Sequence, residues 1–154
     1  MRSVIAAVVD NKFGVLARVS GLFMRRGFNI DTLTVGTTED SDYSRITVTL
    51  EGDEFVREQL IRQMMKLYNV RWVRLLDGGD KVERELILVK LQNRPDAREK
   101  LCGANGCSVR ILGETEQTLC AEATGDPAAV QAFLESLKPL GILEVCRTGV
   151  VALD

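Results

Sequence analysis

The stretch SVIAAVVDNKFGVLARVSGLFMRRGFNI, residues 3–30, decides the fold. It opens with an almost continuous apolar run rich in β-branched residues, which is typical of a central strand. After a short loop ending at Gly14, the apolar residues between positions 15 and 23 repeat with helical spacing along one face. Arg25 and Arg26 suit the C-terminal end of a helix dipole, and Gly27 suits the position that ends the helix. The stretch therefore predicts a strand, a loop and an amphipathic helix, after which a second strand begins.

The rest of the chain repeats this order of elements. Asp53 is a helix cap, Pro95 opens a short helix, and the pair Asp126-Pro127 is a strong helix-start signal. Alternating or β-branched apolar runs predict further strands at 28–38, 46–50, 70–76, 85–92, 107–111, 118–123 and 142–146. The order β-α-β-β-α-β thus occurs twice and predicts an α+β fold of two consecutive ferredoxin-like βαββαβ units.

The clearest break in the chain is the segment DGGDK at residues 77–81, where two glycines lie between acidic residues. We therefore predict a first domain at 1–77, a linker at 78–83 and a second domain at 84–154. Units of about 70 residues are only marginally stable alone. In each unit the right-handed crossover rule places the first and third strands centrally and leaves the long second strand at an edge. An unpaired edge strand favours a homodimer formed by joining two sheets.

Composition narrows the classes of function. The 154 residues are 45% apolar and 27% charged, with a net charge of −2, as expected of a soluble globular protein. This charge gives no reason to expect a nucleic-acid partner. No apolar run approaches the ~20 residues of a membrane span, and the N-terminal run is too short for a signal peptide. We therefore expect a cytoplasmic protein with no membrane partner.

The chain contains no histidine, which removes the commonest general base near neutral pH. It also contains no phosphate-binding glycine motif. The carboxylate pairs Asp40/Asp42 and Glu83/Glu85 are interpreted as solvated surface. We therefore predict no catalytic residues and expect the chain not to be an enzyme by itself.

Four cysteines occur, at positions 102, 107, 120 and 146, without a C-x-x-C pair. With no histidine to complete a zinc set, we predict no metal site and interpret the cysteines as reduced thiols. The alternative is a redox pair of Cys102 and Cys107, which requires Cα atoms within about 7 Å.

The loop before the first helix is the candidate binding site. A helix N-terminus offers unpaired N–H groups that suit a carboxylate, and Gly14 permits close approach of a ligand to the backbone. Asn11 offers a donor and acceptors, and Asn29 stands where a second chain would meet the edge strand. Together with the apolar residues Val15, Leu16 and Ile30, these side chains suit a free amino acid. The alternative is that asparagine and glycine are ordinary turn residues here.

Several blocks of sequence carry a resemblance to a known family. They are NKFGVLARV (11–19), GLF (21–23), RGFNIDTLTV (26–35), SRIT (44–47), VERELILVK (82–90) and EVCRTGVV (144–151). In this order and spacing, over nearly the whole chain, they resemble the regulatory small subunit of acetolactate synthase, also called acetohydroxyacid synthase. The first unit resembles its ACT domain.

The resemblance implies a subunit that binds and activates a large catalytic subunit in branched-chain amino-acid biosynthesis. That partner uses thiamine diphosphate, Mg²⁺ and FAD, so no cofactor is expected on this chain. It also implies feedback inhibition by valine, or by a related branched-chain amino acid, bound between two ACT domains of a homodimer. Carried over by motif, the binding loop is Asn11, Lys12, Phe13, Gly14, Val15 and Leu16, and the residues contributed across the interface are Asn29 and Ile30.

The chain departs from the family's pattern in the second unit. Its first helix there, near residues 94–101, is short, and the chain stops soon after the C-terminal block. One alternative function is a free-standing ACT-domain amino-acid sensor that acts on a different partner. Another is a small enzyme of ferredoxin-like fold.

Overall fold

The computed structural model describes residues 2–76, 78, 81–104 and 106–154. The elements follow one another as predicted, in the order β1 (Arg2–Asp10), α1 (Val15–Arg26), β2 (Ile30–Thr37), β3 (Tyr43–Glu51), α2 (Glu54–Met64), β4 (Val70–Leu75), β5 (Val82–Gln92), α3 (Pro95–Cys102), β6 (Cys107–Glu114), β7 (Thr118–Gly125), α4 (Pro127–Leu137) and β8 (Ile142–Leu153). A short 3-10 turn, Lys138–Leu140, precedes β8.

The first sheet has the strand order β2-β3-β1-β4, and its neighbouring strands are antiparallel. The second sheet has the equivalent order β6-β7-β5-β8. In both sheets the first and third strands of the unit are therefore central, and the second and fourth strands are edges. This arrangement confirms the predicted α+β fold of two βαββαβ units.

Helix α1 ends as its sequence predicts. Gly27 adopts a left-handed conformation with φ 67°, and its N–H donates to the Met24 carbonyl at 3.2 Å. The N–H of Phe28 donates to the Phe23 carbonyl at 3.2 Å, which completes a Schellman motif. Because Phe28 is held in this motif, β2 begins at Ile30 rather than at the predicted residue 28.

The two helices of the first unit cover one face of its sheet. Helix α2 is capped as predicted, since the Asp53 carboxylate accepts the Val56 N–H at 2.9 Å. Alternate residues of the central strands face the helices and are buried with the inner faces of α1 and α2. This core comprises Ile5, Ala7, Val9, Val15, Val19, Leu22, Phe23, Ile46, Val48, Leu50, Leu60 and Met64.

The second unit has its own core on the helix side of its sheet. Asp126 caps α4 by accepting the Ala128 N–H at 2.9 Å, and Pro127 occupies the first turn, both as predicted. The buried residues are Ile87, Val89, Leu91, Ala97, Leu101, Leu119, Ala121, Ala123, Val130, Phe133, Leu134 and Leu137.

Contacts divide the chain into two compact units in a way that the linear sequence does not show. The first unit comprises the residues up to Val82 together with Val150–Asp154, and the second comprises Glu83–Gly149. Strand β8 continues to Leu153, well past the predicted end at residue 146. Strand β5 starts at Val82, inside the predicted linker 78–83, whereas Gly79 and Asp80 lie outside the described residues.

The last residues of the chain lie on the helix-free face of the first sheet. Val150 and Ala152 are buried, and Ala152 belongs to a small apolar cluster with Val4, Ala6 and Leu76. Partly buried Trp72 packs against the same cluster. Three polar contacts accompany this packing: Arg45 Nη2 to the Ala152 carbonyl at 2.9 Å, Arg74 to Asp154 at 3.3 Å, and the Val150 N–H to Thr32 Oγ1 at 3.5 Å.

Glu85 corrects the interpretation of Glu83/Glu85 as solvated surface. The Glu85 side chain is 1% exposed and accepts two hydrogen bonds from the Arg147 guanidinium, at 2.7 and 2.8 Å. Arg147 in turn donates to Gln131 of α4 at 3.0 Å. A buried carboxylate needs such a partner, so this pair ties β5 to β8 and α4 inside the second unit.

Some features are absent from the part of the chain that the structure describes. No helix there is long and apolar enough to cross a bilayer. No group of three or more aspartate, glutamate or cysteine side chains in those residues is placed to hold a metal ion. Cys102, Cys107, Cys120 and Cys146 are free thiols, so the alternative of a Cys102–Cys107 pair is not realised in this structure. Burial raises the pKa of the Cys107 thiol, and the nearby Asp126 charge adds to this effect.

Candidate functional site

The predicted binding loop connects β1 to α1 at one end of the first sheet. The Asn11 N–H donates to the Asp42 carbonyl at 2.7 Å, and the Asn11 side-chain amide donates to the Ser41 carbonyl at 2.8 Å. These two bonds tie the loop to the turn between β2 and β3. The side chains of Asn11, Lys12 and Phe13 are exposed.

Gly14 makes the N-terminus of α1 accessible. Its φ of +82° is left-handed, and a Cβ at this position would meet no atom within 4 Å. Among the described residues no side chain caps this helix end, and its first turn contains no acidic residue. The Val15 N–H makes a 3.3 Å bond to the Lys12 carbonyl. The end of the helix is therefore open and carries the partial positive charge that suits a carboxylate.

The two apolar residues of the predicted loop play different parts. Val15 is 4% exposed and belongs to the core, whereas Leu16 is 44% exposed. Arg18 faces the segment before β4, and at 100° per residue Leu16 lies on the opposite side of α1. Val15 thus anchors the first turn of the helix in the core, and the Leu16 side chain is exposed on the protein surface.

Asn29 and Ile30 lie at the other end of the sheet. Ile30 pairs with Leu50, which pairs with Ser3, whereas the loop begins at the far end of β1 after Asp10. Seven residues of strand separate these two levels, about 23 Å at the usual rise. One chain therefore brings Asn11 to Leu16 together but does not bring Asn29 and Ile30 to them.

A polar cluster beside the loop involves residues that the sequence did not single out. Asp10 is buried, accepts from Asn69 Nδ2 at 3.1 Å and forms an ion pair with Arg71 at 2.9 Å. Arg18 of α1 donates to Asn69 Oδ1 at 3.0 Å and to the Tyr68 hydroxyl. No short-range signal marks this cluster, because Asn69 is 59 residues from Asp10 in the chain.

The cluster also sets the ionisation of Asp10. The hydrogen bond from Asn69 is the largest influence and lowers the pKa of the Asp10 carboxyl. Burial acts in the opposite direction, but the hydrogen bond and positive charge of Arg71, with the charge of Lys12, keep the pKa below its ordinary value of 3.8. Asp10 is therefore a carboxylate at neutral pH and borders the open loop.

A shallow cavity of about 180 Å³ lies next to this cluster, between α1 and the segment that leads into β4. Its lining combines apolar side chains with Arg18 and Asn69. The cavity lies on the side of α1 that faces away from Leu16, so it is separate from the surface on which the predicted loop residues are exposed.

Comparison with known proteins finds a matching family for each half of the chain. Residues 5–71 match the family described as AHAS small subunit-like ACT domains, and residues 84–154 match the family described as the small subunit of acetolactate synthase. A probable acetolactate synthase small subunit from Archaeoglobus fulgidus is 45% identical over 99% of this chain and 96% of the relative. The acetolactate synthase small subunit of Mycobacterium bovis is 39% identical over 97% of this chain and 90% of its own length.

A solved structure agrees with these relatives. The crystal structure of the acetolactate synthase small subunit from Thermotoga maritima has a TM-score of 0.90 with this chain at 32% identity, covering 99% of this chain and 96% of the other. The solved structure matches this chain in fold, and the two families match its first and second halves. The relatives also cover nearly the whole chain, so the three comparisons agree. The chain belongs to the family of acetolactate synthase small subunits.

Proposed function

We propose that this chain is the regulatory subunit of an acetolactate synthase, and that it binds valine at the interface of an ACT-domain homodimer. Valine carries a carboxylate, an ammonium group and a small branched side chain. The observation that carries the proposal is the open start of α1 at Gly14, where no described side chain caps the helix and an added Cβ would meet no described atom within 4 Å. The helix N–H groups would receive the carboxylate, and Asn11 would supply polar contacts beside it.

A second copy of the chain would complete the site. Within the described part of the chain, edge strand β2 pairs with β3 on one side and has no neighbouring strand on the other. If two β2 strands join antiparallel about a two-fold axis, the start of one lies beside the end of the other. The end of β2 adjoins the turn to which Asn11 is bonded. Asn29 and Ile30 of one copy would thus reach the loop Asn11–Leu16 of the other.

The surface along β2 supports this joining. Leu33 and Val35 lie on the helix side of β2 and are 37% and 41% exposed. Leu16 and Met24 of α1 are exposed on the side of the helix away from Arg18. A row of apolar side chains beside an unpaired strand edge is a surface that dimerisation would cover.

The partner of this dimer would be a large catalytic subunit. The family resemblance implies that this subunit carries thiamine diphosphate, Mg²⁺ and FAD and that the small subunit activates it. Valine occupancy would shift the dimer between two states that the catalytic subunit distinguishes. Such couplings amount to about 1–3 kcal/mol, and by reciprocity the catalytic subunit changes the valine affinity by the same factor.

The proposal is tested by isothermal titration of the full chain with valine, using leucine and isoleucine as comparisons. Gly14→Asp should abolish the binding heat, because its carboxylate would fill the open space and repel the carboxylate of the ligand. Gly14→Asn is the matched control, since it has nearly the same shape and tolerates a positive φ without adding charge. It should weaken binding much less than Gly14→Asp.

The outcomes separate the alternatives. Saturable binding of valine, lost in Gly14→Asp, together with valine-sensitive activity after addition of the catalytic subunit, is the expected result. Binding without any effect on an acetolactate synthase catalytic subunit would instead indicate a free-standing sensor. Unchanged binding in Gly14→Asp would remove the loop from the site.

A further inference from the structure

Asn69 is hydrogen-bonded to the two elements that flank the candidate binding loop, at Asp10 and Arg18. Residues 11–14 of this loop connect the end of β1 to the start of α1, and its last two residues, Val15 and Leu16, begin the helix. Asn69 lies just before β4 and is 6% exposed. Its backbone and both atoms of its side-chain amide are used in hydrogen bonds to the two flanking elements.

On the β1 side, Asn69 makes two hydrogen bonds to Asp10. The Asp10 N–H donates to the Asn69 carbonyl at 2.8 Å, and Asn69 Nδ2 donates to Asp10 Oδ2 at 3.1 Å. The other oxygen of Asp10 accepts from Arg71 Nε at 2.9 Å. The residue immediately before the loop is therefore fixed in position by residues that precede and begin β4.

On the α1 side, Asn69 holds the helix through Arg18. Arg18 Nη1 donates to Asn69 Oδ1 at 3.0 Å, and the same guanidinium lies over the Tyr68 ring, 5.0 Å from its centroid. Arg18 is one turn into α1, and its N–H donates to the Gly14 carbonyl at 3.1 Å. Fixing Arg18 therefore fixes the first turn of the helix.

We propose that Asn69 is a positioning residue for the effector site: its amide bridges Asp10 and Arg18 and so sets the shape of the loop between them. This inference rests on the proposed function. Asn69 itself does not line the outward surface at Gly14, so it acts through the loop. If the loop is already ordered in the free protein, binding of the ligand loses less conformational entropy. The affinity is then higher without an added contact.

The chemistry of the bridge determines what each substitution does. Asn69→Asp preserves the shape and the acceptor for Arg18, but it places a carboxylate oxygen against that of Asp10. Asp10→Asn preserves the acceptor for Arg71, but it directs an amide donor at the amide donor of Asn69. In the double variant Asp10→Asn/Asn69→Asp, the residue at position 10 donates, the residue at 69 accepts, and the contacts with Arg71 and Arg18 are retained.

The test compares the full-length wild type with the two single variants and the double variant. Valine affinity is measured by calorimetry, and hydrogen exchange is followed at residues 11–16 and, as the reference, in β3. We expect each single variant to bind valine at least about tenfold more weakly, with faster exchange at 11–16 and unchanged exchange in β3. The double variant should return to within about threefold of wild type.

These readouts separate positioning from general stability. A purely structural role would speed exchange in β3 as well and leave the affinity of the folded protein unchanged, which would overturn the proposal. Equal exchange at 11–16 in wild type and Asn69→Asp would also overturn it. If the wild type binds no valine, the proposed function fails. Hydrogen exchange then decides the role of Asn69 without the affinity data: faster exchange at 11–16 in the single variants, restored in the double variant, supports it, and any other pattern overturns it.

Discussion

Asp10 links the ionisation of a single residue to the stability of the first unit. Its carboxyl is bonded to Asn69 and Arg71, and its pKa in the folded protein lies below the ordinary value of 3.8. The unfolded chain therefore binds the proton more tightly than the folded chain does. The resulting stabilisation is complete above the unfolded pKa and is lost as the pH falls through the folded pKa.

We predict that wild type loses more stability than Asp10→Asn as the pH is lowered from about 5 to below the ordinary carboxyl pKa. Urea unfolding of the two proteins at a series of pH values measures this difference. Above pH 5 the gap between the two unfolding free energies should be constant. Parallel losses of stability over the whole range would contradict an Asp10 contribution.

At the scale of one element, strand β2 is an edge of the first sheet that carries exposed apolar side chains. Among the strands that the structure describes it neighbours β3 alone, and alternate residues on its helix side, Leu33 and Val35, are partly exposed. The same alternation places Thr32 on the other face, where its hydroxyl pairs with Thr49 at 2.7 Å. The strand is thus hydrogen-bonded through a side chain on one face, and its apolar side chains are exposed on the other.

We predict that Val35→Lys weakens the proposed homodimer at least about tenfold, because a charged group would be buried at the joined edges. Sedimentation velocity over a range of protein concentrations measures the change. Phe55→Lys is the control, since Phe55 is 72% exposed on α2, the helix that contacts β4. Equal dimerisation of the two variants would place the interface elsewhere.

At the scale of the whole molecule, the end of the chain is part of the first unit. Val150–Asp154 group with the residues up to Val82, and Val150 and Ala152 are buried on the helix-free face of the first sheet. A fragment that ends near Lys81 would lack this cover over Val4, Ala6 and Leu76. The ACT-domain sequence is therefore not the complete first unit.

We predict that removal of residues 150–154 destabilises the first unit by about 2–4 kcal/mol, the usual value of burying side chains of this size. The chain contains one tryptophan, Trp72, which packs against the covered cluster. Its fluorescence should shift to the red in the shortened chain, and its urea-unfolding midpoint should fall. Val151→Ser is the control, since Val151 is 45% exposed, and it should leave both readings unchanged.

Local signals account for the parts of the fold that the sequence predicted well. The starts of α2 and α4 follow from Asp53 and Asp126, whose carboxylates accept backbone N–H groups within three residues. The end of α1 follows from the positive φ of Gly27. The strand order follows from the handedness of crossovers, which is a property of any chain of L-residues.

The sequence by itself determined the order of elements, the α+β class, the caps, and the loop that ends at Gly14, because these depend on neighbours within a few residues. Only the tertiary structure showed that Asn69 bridges Asp10 and Arg18, that Glu85 is buried against Arg147, and that Val150–Asp154 complete the first unit. The hydrogen bonds among those contacts join residues 51 to 118 positions apart, and a periodic pattern holds no information about pairs at such separations. They arise because folding brings distant polar and apolar groups together within each unit, where buried polar groups need hydrogen-bond partners.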